Sequence, residues 1–238
     1  MKPTGPANRK RFYKSASVAE RDGGGFGVLL DGRAVRTPAG GPLAVPGRAL
    51  ADAIAAEWNA QGETIAPAGL ALTKLANTAI DGVTEREGEV ADDILKYAAT
   101  DLVCYRAEHP AALVAAQAAA WDPILNWVTA RYGAAFLTSA GIAHVAQPEA
   151  SLSALRAAVA VLNAFQLTAL HVMTSLTGSA LIALAHTAGE LDTAAAWAVA
   201  HTDENWQAAR WGEDFEAARR MKARLAEFES ASRFFHLC

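Results

Sequence analysis

The stretch Gly27-Val-Leu-Leu-Asp-Gly-Arg-Ala-Val-Arg-Thr37 decides how the first third of the chain is read. Two short runs rich in branched apolar residues flank Asp31-Gly32, a pair that tolerates the positive φ angles of a type I′ turn. The spacing predicts a two-residue β-hairpin, 27–30 against 33–37. Working outward, 12–20 mixes aromatic, β-branched and polar residues as a half-buried strand does, and Asp22-Gly-Gly-Gly-Phe-Gly27 is turn chemistry. On the other side, Pro38-Ala-Gly-Gly-Pro42 turns the chain into a short fourth strand, 43–45. An antiparallel sheet of meander type is expected.

The period then changes. Leu50, Ile54 and Trp58 recur at helical spacing after Pro46, so 46–61 should cover one sheet face, and a second helix over 70–83 should end at Gly82. Beyond about Glu85 turn residues thin out and alanine accumulates. Helices are expected over 87–99, 110–121, 123–132, 152–165, 167–188, 193–211 and 214–234. Asp122-Pro123 reads as a cap followed by a first-position proline, dividing two of them. Ser175, Ser179 and Ala183 recur every four residues on the 167–188 helix, which would let a neighbour approach closely. The fold class is therefore α+β: a small antiparallel β-rich N-terminal domain, 1–84, and a larger all-helical domain, 85–238.

Composition narrows function. The 238 residues are 52% hydrophobic and 19% charged with a net charge of −4, a globular profile without the basic excess that phosphate backbones require. No nucleic-acid partner is expected; the one basic cluster is Arg9-Lys10-Arg11, at the end of a tail read as loose. Two cysteines, Cys104 and Cys238, fit a reducing compartment better than a disulfide framework. Residues 167–185 lack Lys, Arg, Asp and Glu but are laced with Thr, Ser and His, so they read as a buried helix, not a membrane span.

Cofactor signals fail one by one. Gly23-Gly-Gly-Phe-Gly27 has no following lysine and hydroxyl for a phosphate loop and runs into a hairpin where a dinucleotide site needs a helix. The six histidines share no ligand spacing, and His171 on an apolar helix reads as a core residue. No metal, cofactor or catalytic residue is assigned.

The concentration of unusual residues lies in Asp203-Glu-Asn-Trp-Gln-Ala-Ala-Arg-Trp-Gly-Glu-Asp-Phe-Glu-Ala-Ala-Arg219. With Asp192 as N-cap and Gly212 as terminator, helical spacing puts Trp197, His201, Glu204, Ala208 and Trp211 on one stripe, and Val199, Asp203, Trp206 and Arg210 on another. Glu213, Asp214 and Glu216 fall in the first turn of the next helix, where the dipole favours acids. Three readings follow. An indole wall beside a carboxylate describes a general acid, Glu204 or His171 serving a small hydrolase or isomerase. Indoles in the core with paired acids describe packing. Aromatic residues, Arg and acids on an exposed helix pair describe a protein-binding hot spot, as on an adaptor for some protein client.

Leu72-Thr-Lys-Leu-Ala-Asn-Thr-Ala-Ile-Asp81, Ile94-Leu-Lys-Tyr-Ala-Ala-Thr-Asp-Leu-Val-Cys-Tyr-Arg106, Trp121-Asp-Pro123 and the 206–216 run, in that order, resemble the ATP synthase assembly chaperone family that handles the alpha subunit. The resemblance extends from about Phe12 to Phe234. It implies an ATP-independent, non-enzymatic protein with a β-rich N-terminal and a helical C-terminal domain. Such a protein binds the unassembled alpha subunit and prevents its aggregation until the beta subunit docks. It also implies a bacterial cytoplasmic form, or a mitochondrial matrix one in a eukaryote; no long presequence precedes Arg9. A monomer is expected. The family's acidic Trp-Gly region corresponds here to Glu204, Trp206, Arg210, Trp211, Gly212, Asp214 and Glu216, and the candidate partner-binding residues are Asp203, Glu204, Trp206, Arg210, Trp211, Asp214 and Glu216. Trp197 and Trp211 are expected to serve mainly packing, and Glu204, Asp214 and Glu216 the partner.

Overall fold

The computed structural model describes residues 9–141, 143–212 and 214–238. The tail before Arg9 and Glu213, both read above, lie outside the described residues. The fold is α+β, and the chain divides into two compact units: the residues up to Glu85 together with His236–Cys238, and Arg86–Phe235.

In the first unit the hairpin forms as its turn chemistry dictates. Strands β1 (Ala16–Glu20) and β2 (Phe26–Leu30) pair antiparallel, and β3 (Arg33–Ala34) returns with Leu30 opposite Arg33. Asp31 and Gly32 take φ of 47° and 80°, the left-handed values of a type I′ turn. The Asp31 carboxylate accepts the backbone N–H groups of Lys14 and Ser15, which pull it below the usual carboxylate range. The sheet is not a simple meander, because β4 (Ala44–Val45) pairs with β2 instead of β3. The turn from Thr37 to Gly41 folds the chain back so that Leu43 reaches both Val28 and Val35. The regular part of the first strand begins at Ala16, four residues after the expected Phe12.

Helix α1 (Arg48–Asn59) buries Leu50 and Ile54 against β1, β2 and β4. Its last residue, Asn59, closes the sheet edge by bonding the N–H and C=O of Ala16. Glu57 caps α2 (Ala71–Thr78) from outside, accepting from Leu72 N, Thr73 N and Thr73 Oγ1 at 2.7–2.9 Å. Two orphan amides of a helix start are thereby satisfied.

The second unit is helical apart from a two-residue parallel ladder. Its elements are α3 (Glu87–Ala99), β5 (Tyr105–Arg106), α4 (Ala111–Tyr132), β6 (Ser139–Ala140), α5 (Glu149–Val159), α6 (Ala164–Thr177), α7 (Ala180–Thr187), α8 (Thr193–Ala200), α9 (Thr202–Trp211) and α10 (Phe215–Leu237). Helix α7 is the centre: Ala180 through His186 are all buried, and it packs on α3, α4, α6 and α8. Among the described residues, no helix is long and apolar enough to cross a membrane.

Several expected helices have different bounds; the one expected over 152–165 ends at Val159, and Ala164 already starts the next. Helix α4 runs through Pro123 instead of stopping at Trp121. A mid-helix proline loses one N–H and crowds the preceding turn. Tertiary contacts offset it: Trp121 is buried with its indole N–H on the Val199 carbonyl at 2.9 Å, and Ile124 and Val128 are buried below. Asp122 caps nothing; it pairs with Arg106 at 2.9 Å. The 167–188 segment is two helices broken at Gly178, φ 70°, and Ser179 caps the second by accepting from Ile182 N. Ser179 is thus a stop and a restart, not one of a stripe of small residues. The 193–211 segment breaks at His201, whose ring lies on Trp197 at 3.9 Å and whose Nδ1 bonds the Trp197 carbonyl.

A candidate partner-binding hairpin

Each end of α9 is set by local chemistry. Asp192 caps α8 by accepting from Ala195 N at 2.7 Å, and the break at His201 then turns α9 into a new register. Gly212, at φ 84° and ψ 167°, ends α9 in a conformation open essentially to glycine alone. Asp214 starts α10, its carboxylate accepting from Ala217 N at 2.7 Å. The result is a helical hairpin joined at Gly212.

The hairpin is short of burial. Helix α9 has no buried residue, and the buried residues of α10 begin only at Phe228. Between Thr202 and Glu227, therefore, no described side chain belongs to the core. Yet this stretch carries Trp206, Trp211 and Phe215, with Trp211 73% and Phe215 82% exposed. Trp206 is half-buried under the Arg210 guanidinium, 4.4 Å from its centroid, and meets Trp211 edge-on at 5.6 Å. Between α9 and the start of α10 lies a shallow cleft of about 310 Å³, with Ala208, Trp211, Ala218 and Met221 along it and Glu204 and Asp214 at its rim.

The acids differ in freedom. Asp203 is half-buried and accepts from the Gln117 amide at 2.8 Å; Gln117, itself buried, accepts from Ala107 N. That chain of bonds ties α9 to α4. Asp214 is engaged as a cap. Glu204 and Glu216 are exposed, the latter only loosely paired with Arg220 at 3.7 Å.

Several sequence expectations move. Trp197 is buried as expected, whereas Trp211, expected to pack, is among the most exposed large apolar side chains. The break at His201 separates them, so the single stripe running from Trp197 to Trp211 does not form. His171 is not a core residue: it is half-exposed and bonds Asp93 at 2.8 Å, holding that carboxyl below its ordinary range. Glu204 faces an open cleft, not an apolar cavity, so the environment that would make it a general acid is missing. Phe215 was not singled out by spacing. The signal for it was Gly212 followed by Asp214, which puts residue 215 at the exposed first turn of a helix.

The buried carboxylate of this unit is instead Asp101, 0% exposed. Burial raises its pKa to about 7, against bonds from Ser179, Leu181 N and Val103 N that favour the ionised form. All these donors belong to the start of α7 and to the short 3-10 turn Leu102–Cys104, so Asp101 is a fastener between them.

Taken together, these features define a class: a two-unit α+β protein with one helical hairpin left uncovered, the kind of surface that protein-binding modules present. Comparisons with known proteins agree on a family. Residues 10–129 match the family described as ATP12 chaperone protein. The Atu1473 protein of Agrobacterium tumefaciens superposes with a TM-score of 0.94 at 46% identity, over 96% of this chain and 85% of that one. Atp12 from Paracoccus denitrificans gives 0.92 at 43% identity, over 96% and 98%; an aspartate-to-lysine variant of P. denitrificans Atp12p gives 0.92 at 42%, over 96% and 97%. The chain belongs to the ATP12 chaperone family.

Proposed function

We propose that this protein is an ATP synthase assembly chaperone that binds the free alpha subunit through the α9–α10 hairpin and keeps it from aggregating until the beta subunit docks. The observation that carries the reading is the Thr202–Glu227 hairpin, in which no described residue is fully buried, although it holds two tryptophans and Phe215 beside Glu204, Asp214 and Glu216. A subunit awaiting its partner exposes apolar surface that invites aggregation. Aromatic anchors would mask that surface, and the acids would set register and choice of client. The mechanism needs no catalysis and no nucleotide, and suits a bacterial cytoplasm. The ATP12 family membership supports the same client system.

The test is capture. Purified protein should co-elute with alpha subunit and suppress its light scattering without added nucleotide, while a Trp211→Ala, Phe215→Ser double variant should do neither. Undiminished capture by the double variant would sink the proposed surface. Recovery of no ATP synthase subunit on co-purification from the source would sink the proposed client.

A further inference from the structure

A sizeable cavity lies in the first unit. It is a groove of about 940 Å³ with Leu30, Val35 and Trp58 in its walls and the ring of Phe12, 69% exposed, beside it. Its other distinguishing mark is charge. Arg9, Arg33 and Arg36 line it, all exposed, and none of them pairs with a carboxylate among the described residues. The one acid in the lining, Asp31, already spends its oxygens on the Lys14 and Ser15 amides. In the wall, the Trp58 indole N–H is buried without a hydrogen-bond partner among the described residues, although Trp and its N–H are ordinarily satisfied when buried.

We infer that this groove takes an extended acidic segment of the client that carries a large apolar side chain. This contact rests on the chaperone function proposed for the hairpin and adds to it a second surface, of opposite charge. Apolar walls accept the side chain, and a neighbouring carboxylate meets the arginines, whose planar forks suit it. The chain's own first eight residues are a poor match, since they contain Lys2 and no acid.

Fluorescence anisotropy tests the groove by itself. The probe is a labelled peptide with a central Leu-Phe pair flanked by glutamates, titrated with the full chain. Binding should weaken at least about tenfold in an Arg33→Glu, Arg36→Glu variant, weaken with added salt, and fall severalfold in Phe12→Ala, whose ring is outside the core. Thermal melts check that the variants fold. Equal affinity for the lysine-for-glutamate peptide, or no response to the double variant, overturns the inference. So does a concentration-dependent dimer in sedimentation that the double variant abolishes, because the occupant would then be a second copy. Trp211→Ala should bind the peptide normally, which separates the groove from the hairpin: a peptide that fails to bind while Trp211→Ala still loses alpha-subunit capture removes the groove and leaves the hairpin reading intact.

Discussion

Helices α7 and α9 are both short helices of the second unit, and they have opposite fates. In α7 every residue from Ala180 to His186 is buried, and even its polar fittings, Ser179, His186 and the incoming Asp101, have assigned bonds. In α9 nothing is buried, although it has two tryptophans. Aromatic content therefore does not decide where a helix sits. Alanine-rich α7 is buried because small side chains let α3, α4, α6 and α8 approach from several sides. Aromatic α9 is tied down through Asp203 and Gln117 and left otherwise open. The difference separates side chains that hold the fold from side chains available to something else, and substitutions should divide the same way.

The largest effect is expected at the fastener of α7. Asp101→Ala leaves the Leu181 and Val103 amides and the Ser179 hydroxyl buried without their acceptor, a loss of about 3 kcal/mol in denaturant titration. The same residue sets a pH dependence. Its pKa is raised on folding to about 7, so the native chain keeps a proton that the unfolded chain gives up. Its contribution is full below the ordinary carboxylate pKa of about 4 and is lost as pH rises from there through about 7. Asp101→Asn should remove that slope from the stability profile. A slope that survives in the asparagine variant belongs to other groups.

Next in size is Ser179→Ala, which loses the cap to Ile182 N and should cost about 1.5 kcal/mol, near the upper part of the range for N-caps because the site is buried. Gly212→Ala should cost about 1 kcal/mol in melts, since a Cβ is strained at φ 84°. Trp211 and Asp214, the nearest described residues, are both exposed, so the joint can re-form at modest cost. Its effect on capture should then exceed its effect on stability, the reverse of Ser179→Ala. If Gly212→Ala melts lower yet captures the alpha subunit normally, the angle between α9 and α10 is irrelevant to binding.

How much of this was legible in the sequence follows the range of the interactions. Asp31-Gly32 and Gly212 were readable because a turn or helix end is decided by the φ its own residues can adopt. The α+β order was readable from the change of period after Pro46. What was not readable depended on distant partners. Pro123 signals a helix break until Trp121 finds the Val199 carbonyl and Asp122 finds Arg106. Leu167 to Ala188 looks like one apolar helix until Asp101, remote in sequence, meets the start of α7. Trp211 reads as core because its composition says so, and only the break at His201 turns it outward. The hairpin's residues are legible as a density of acids and indoles, and Phe215 through its place after Gly212 and Asp214, whereas the arginines of the groove are brought together only by the fold.

The smallest effect on the fold should be the sharpest test of the comparison. Glu216→Lys removes an exposed acid whose partner, Arg220, sits at 3.7 Å on the same helix, a pair worth at most a few tenths of a kcal/mol. Asp214→Lys is a poorer probe, because it also deletes the α10 cap on Ala217 N and so mixes stability with binding. If the hairpin's acids choose the client, Glu216→Lys should lower the melting temperature by no more than about 3 °C, the cost of losing an acid from the first turn of α10. Capture of the alpha subunit should nonetheless fall several-fold, mainly at low salt, where charge steers encounter. A matched loss of stability and capture would mean that α9 and α10 are structural after all, and that the contrast with α7 is one of degree.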